Sequence, residues 1–194
     1  MEDPKEFIGK LKAFANEGQE QAPEQKPLPP VPAQDTKEGE FMRKIRLGTV
    51  TNEDIPEAIR QEWMRSILGG GLFAYGVPLF GGKVRMVFSE LTKSEAALHR
   101  KVSSLVPAGD TETQTKLCII LFLKEITGEV NVKVKDLYEE KDVTGVFAPK
   151  FVNDAYEKLC DMIPVGLSRM LVGAWSIYST LVGTLSQEAF PDSF

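Results

Sequence analysis

The sequence predicts an α+β fold that is mostly helical, with a β-hairpin packed on a helical bundle and an N-terminal amphipathic helix carried on a proline-rich arm. Three observations predict it. Residues 23–32 are half proline. Apolar residues alternate on both sides of Gly81-Gly82. Most of the remaining apolar residues recur every three or four positions, the period of a helix facing a core. The chain therefore divides into a docking helix over 1–18, a linker over 19–40 and a globular α+β domain over 41–194.

Proline fixes φ and has no backbone N–H, so residues 23–32 cannot join a helix interior or a sheet interior. They read as an extended, semi-rigid spacer of about 3.1 Å per residue. Ahead of them, Phe7, Ile8, Leu11 and Phe14 make one stripe of a short helix that Pro4 opens and Gly18 closes. Isolated helices of this length are marginal in water. The segment therefore needs a surface to dock on, either its own body or a partner.

In the body, Met42 to Val50 alternates loosely and is expected as a strand. Thr51-Asn52-Glu53-Asp54 supplies a helix start, and Ile59, Trp63, Ser66 and Ile67 make that helix's stripe before Gly69-Gly70-Gly71. Leu72 to Glu90 is expected to fold back at Gly81-Gly82, with Leu79 facing Val84, Val77 facing Met86 and Tyr75 facing Phe88. Pro78 favours a four-residue loop, Phe80 to Lys83, and puts the first strand at a sheet edge. An edge of this kind accepts another chain's strand.

Thr92 and Glu95 have capping-box spacing, which starts a helix running to about Leu105. A second helix is expected over 113–126, stopped by Gly128. Val130 to Val134 reads as a short strand or an extended loop. A helix over 147–162 carries Phe151, Ala155, Leu159 and Met162, and Pro164 ends it. The last helix, 165–187, places Leu167, Leu171, Ala174, Tyr178, Leu181 and Leu185 on a heptad-like seam. Gly173, Ser176, Thr180 and Gly183 form a second, small-residue line. Core packing is the simpler reading of the seam; a contact between chains is the other.

The net charge is −5. Residues 1–40 carry five basic and nine acidic side chains, so the arm is unsuited to nucleic acid. Arg43, Lys44 and Arg46 read as a solvated face. Cys118 and Cys160 lie in apolar helical patterns and read as free thiols, as in a reducing cytoplasm. The N-terminal apolar residues are interrupted by lysines and do not read as a secretory leader. The uncharged run 170–187 is rich in Ser and Thr and reads as a buried helix rather than a membrane span.

No catalytic, cofactor or metal site is expected. His99 is the sole histidine, which rules out a three-histidine metal site and leaves any triad resting on one residue. Gly76 to Lys83 has the outline of a phosphate loop, but Val84 stands where Ser or Thr would be, and turn glycines explain the pattern better. Glu139, Glu140 and Asp142 read as a solvated loop cluster.

From Ile55 to Lys101 the chain has a helix with Glu62-Trp63, then Leu72-Phe73 opening a strand. Phe80-Gly81-Gly82-Lys83-Val84-Arg85-Met86-Val87-Phe88 follows, and Leu91-Thr92-Lys93-Ser94-Glu95 closes the stretch. This stretch resembles tail and baseplate-hub assembly chaperones of tailed bacteriophages. The resemblance implies a non-enzymatic role in virion assembly, in the host cytoplasm during assembly or in the particle itself, with other virion or assembly proteins or further copies of the chain as partners. The expected contacts are Phe7, Ile8, Leu11 and Phe14 on the helix, Pro27, Pro29, Pro30 and Pro32 on the arm, and Leu72, Ala74, Pro78 and Phe80 on the strand edge. The alternative is a cellular adaptor whose Pro27-Leu28-Pro29-Pro30 or Pro29-Pro30-Val31-Pro32 segment is read by an aromatic-lined groove.

Overall fold

The computed structural model describes residues 37–134, 137 and 148–189. All of them belong to the compact unit Gln34–Phe194. The expected docking helix, the proline arm and the Glu139–Asp142 cluster lie outside the described residues.

The architecture is α+β and mostly helical, as the sequence predicts. Seven helices are described: α1 (Lys37–Leu47), α2 (Glu57–Gly69), α3 (Lys93–Ser103), α4 (Thr111–Phe122), α5 (Ala148–Met162), α6 (Val165–Ser168) and α7 (Leu171–Ala189). Strands β1 (Ala74–Leu79), β2 (Val84–Ser89), β3 (Leu123–Gly128) and β4 (Val132–Lys133) form one antiparallel sheet in the order β1-β2-β3-β4.

The strand expected over 42–50 is a helix. It begins at Lys37, inside the stretch read as linker. Phe41, Met42 and Ile45 are buried together, at the i, i+1, i+4 spacing of a helical stripe. Strand alternation from Met42 would have put Lys44 and Arg46 on the inner face. Gly48, at φ 66, ends the helix. Its N–H donates to Ile45 C=O and the Thr49 N–H to Lys44 C=O, each at 3.0 Å, the paired bonds of a left-handed helix stop. Thr51 and Asp54 cap only a 3₁₀ turn, Asn52–Asp54. The α2 helix starts afresh after Pro56.

The hairpin forms in the expected register, Leu79 with Val84, Val77 with Met86 and Tyr75 with Phe88. The loop is Phe80 to Lys83, and β1 is the edge strand. Thr92 caps α3 as expected: the Glu95 N–H donates to Thr92 Oγ1 at 3.3 Å and the Thr92 N–H to Glu95 Oε2 at 2.8 Å.

The helix expected over 113–126 stops at Phe122 and turns into β3 without a loop. Leu123 and Ile126 pair with Phe88 and Met86, so sheet pairing overrides the helical pattern there. A bulge leaves Lys124 as the extra residue on β3. Gly128, at φ 109, closes the strand against the hairpin loop; a Cβ there would meet Lys83 O at 2.1 Å.

The α5 stripe is turned from the expected one. Ala148, Val152, Ala155 and Leu159 are buried, whereas Phe151 is half-buried and Met162 is exposed. The single helix expected over 165–187 is broken at Arg169-Met170, where Met170 N–H reaches Leu167 C=O at 2.9 Å in a tighter turn. Its seam holds across the break: Leu167, Leu171, Ala174, Tyr178, Leu181 and Leu185 are all buried. They pack inside this chain. Gly173, Ser176 and Gly183 of the small-residue line face solvent.

One buried cluster joins the inner face of the sheet to α1, α3, α4, α5 and α7. Tyr178 stacks on Phe88 with ring centroids 5.4 Å apart, and Trp175 meets Phe122 at 4.9 Å. The Tyr178 hydroxyl is buried with no hydrogen-bond partner among the described residues.

Two predictions follow from this packing. Gly128→Ala puts a methyl into a carbonyl at a positive φ and should cost about 3 kcal/mol or more, the upper end of single-substitution effects, read as a lower denaturant midpoint. Tyr178→Phe removes an unpartnered polar atom, a group that costs ~1–3 kcal/mol when buried alone. It should leave the midpoint unchanged or raise it; a clear fall would show that the hydroxyl has a partner.

Candidate protein interface

The site is built on the free side of β1. The Glu90 N–H donates to Phe73 C=O at 2.9 Å, and these two residues stand opposite each other in the β1–β2 register. Antiparallel pairs alternate between bonded and non-bonded. Phe73, Tyr75, Val77 and Leu79 therefore turn their backbone groups toward β2. Ala74, Gly76 and Pro78 turn theirs to the open edge, where no other described strand pairs with them. Pro78, opposite Arg85, thus puts its missing N–H where no bond to β2 is lost. The edge offers the N–H groups of Ala74 and Gly76 and the carbonyls of Ala74, Gly76 and Pro78.

Side chains add to this edge. Leu72 lies just before β1 and is 47% exposed; Phe80 lies just after it and is 56% exposed. Ala74 and Pro78 are half-buried. Phe80 also holds a φ of 50, a left-handed conformation uncommon for a bulky residue. Gly81 and Gly82, at φ 68 and 86, complete the turn. No charged residue occurs between Arg65 and Lys83.

The strand-edge residues Leu72, Ala74, Pro78 and Phe80 are thus brought onto one edge. Sequence reasoning missed a second apolar group. Met64, Ile67 and Leu68 of α2 are exposed, Leu68 at 80%. Ile67, expected in the inward stripe, is exposed; of that stripe Trp63 and Ser66 alone are buried. The signal was present: Met64, Ile67 and Leu68 stand at i, i+3, i+4, a helical stripe of their own.

The other candidate chemistry is quiet. His99 Nε2 lies 3.7 Å from Cys118 Sγ, and the ring meets Phe122 edge-on. Burial pushes the imidazole pKa down and the Cys118 thiol pKa up, so both are neutral near pH 7, the opposite of a thiolate–imidazolium pair. His99 is half-buried. Cys118 and Cys160 are free and half-buried. Among the described residues no three His, Cys, Asp or Glu side chains converge as a metal site requires. No helix among them is long and apolar enough to cross a membrane. Arg43 and Arg46 lie exposed on α1, and Lys44 pairs with Asp54 at 2.5 Å. Compared with known proteins, the chain matches no family model, no curated protein and no solved structure.

His99 makes stability depend on pH in a defined window. Its folded pKa lies below the ordinary value of 6.5 because burial disfavours the charged ring. The unfolded chain therefore takes up the proton first. The stabilisation is complete above pH 6.5 and is lost as pH falls from 6.5 through the folded value. The melting temperature should drop between pH 7 and 5, and by less in His99→Gln; equal drops in both proteins would remove His99 as the cause. The lowered carboxylates Asp54, Glu95 and Asp110 act only at lower pH.

Proposed function

We propose that this chain is a non-enzymatic structural or assembly protein that works through protein–protein contacts, of the kind its resemblance to phage tail and baseplate-hub assembly chaperones implies. It would act in the host cytoplasm during assembly, with other virion or assembly proteins or further copies of itself as partners. The observation that carries this reading is the open β1 edge, flanked by exposed Leu72 and Phe80 within an uncharged stretch. Native edge strands are usually guarded by charges, bulges or a covering element. Among the described residues of β1, Pro78 is the one such guard, and it removes one donor while leaving two.

Phe80 strengthens the reading. A bulky residue at positive φ carries strain of order 1–3 kcal/mol, and its exposed ring recovers little of that by burial within the chain. Covering such a ring at an interface contributes up to about 1.5–3 kcal/mol, and aromatic anchors dominate interface energetics. Met64, Ile67 and Leu68 are a second exposed apolar group for a partner to cover.

The test is a photo-crosslinking amino acid placed at Phe80 or Leu68 of the full chain, in cells where its assembly partners are made. Covalent adducts with a protein other than this chain are expected at Leu68, adducts with such a protein or with a second copy at Phe80, and none at the exposed control position Glu53. No foreign adduct at either position would overturn the reading.

A further inference from the structure

We propose that the occupant of the β1 edge is β1 of a second copy, paired antiparallel about a two-fold axis through Gly76. The inference rests on the assembly reading above and names the partner at that edge.

The first observation is the symmetry of the edge. The residues whose backbone groups point outward are spaced two apart along the strand. About Gly76 they read large, small, glycine, small, large: Leu72, Ala74, Gly76, Pro78, Phe80. A two-fold axis at Gly76 sets Gly76 against Gly76, Ala74 against Pro78, and each exposed Leu72 beside the other copy's exposed Phe80. An isologous interface requires a patch complementary to itself, and this pattern is complementary to itself at both ends.

The second observation is the hydrogen-bond inventory. In this register the two Gly76 residues exchange both of their bonds, and each Ala74 N–H donates to the other copy's Pro78 C=O. That makes four bonds. The missing Pro78 N–H leaves one carbonyl of each Ala74 unpaired at the rim of the joint.

The third is continuity and charge. Tyr75 and Val77 share the core-facing side of β1 with Phe73 and Leu79, so pairing across the axis sets Tyr75 of one copy opposite Val77 of the other and prolongs that face. The segment between Arg65 and Lys83 carries no charge, so the paired strands themselves set no like charges opposite each other; the exposed Arg85 of β2 lies alongside Gly76. The product is one continuous eight-stranded sheet, twice the four described strands of each chain.

The test is the light-scattering mass of the purified full chain and of two variants at exposed positions, where the fold has little to lose. The wild-type chain should have twice the 21.5 kDa chain mass. Leu72→Lys with Phe80→Lys sets lysine against lysine at both ends and should weaken association at least ~10-fold. Leu72→Lys with Phe80→Glu sets opposite charges there and should restore the dimer. A monomeric wild-type chain overturns the proposal. So does a dimer that survives the double-lysine change, or one that the charge-paired variant fails to restore.

Hydrogen exchange on the unaltered chain tests the same point without substitution. The Ala74 and Gly76 amides should be slow at high protein concentration and fast on dilution; fast exchange throughout overturns the proposal. Both measurements use this chain alone. A monomer that still gives foreign crosslinks would sink the self-pairing and keep the assembly role. A dimer without foreign crosslinks would do the reverse.

Discussion

The fold depends on one aromatic junction. Phe88 from the centre of the sheet, Phe122 from the end of α4, and Trp175 and Tyr178 from α7 meet with centroid distances of 4.9–6.2 Å. Such pairs contribute ~0.5–1.5 kcal/mol each beyond the area they bury. Their larger effect here is geometric. Phe122 must face α7 while the next residue, Leu123, pairs with Phe88. Both conditions hold only if helix passes directly into strand.

That abrupt change has a cost, which Lys124 offsets. A helix end leaves carbonyls without intrahelical partners. The bulge frees Lys124 from the β2–β3 ladder, and its Nζ donates to Leu121 C=O at 2.7 Å and to Glu95 Oε1 at 2.6 Å. Glu95 is also the reciprocal member of the α3 cap. One side chain therefore ties the end of α4, the start of α3 and the bulged strand together. Charge-assisted bonds are about twice as strong as neutral ones, and this pair is only partly exposed.

The junction also decides which parts of the sheet stay open. It draws α7 onto one face. The other face carries Arg85, Thr127, Glu125 and Lys133 in cross-strand rows, the polar side of a half-buried antiparallel sheet. With β2 and β3 filling the interior positions, β1 takes an edge, where its proline does no harm. The candidate interface is thus a consequence of the core, and its apolar ends remain exposed because no described element reaches them.

Local rules were legible wherever one face of an element decides its state. The hairpin register followed from two apolar faces that must coincide, since a one-residue slip turns every side chain over. The α3 cap and the α7 seam followed from fixed spacings, and the edge position of β1 followed from a missing N–H. Tertiary structure decided the rest. Residues 42–50 carry both a weak alternation and a helical stripe, and burial of Phe41, Met42 and Ile45 selected the helix. Residues 123–126 suit a helix, and the need of β2 for a second partner made them a strand. Ile67 and Met162 suit an interior, but helix rotation against the core left them outside. A sequence carries periodicity within an element; which face meets the core is set by all the elements together.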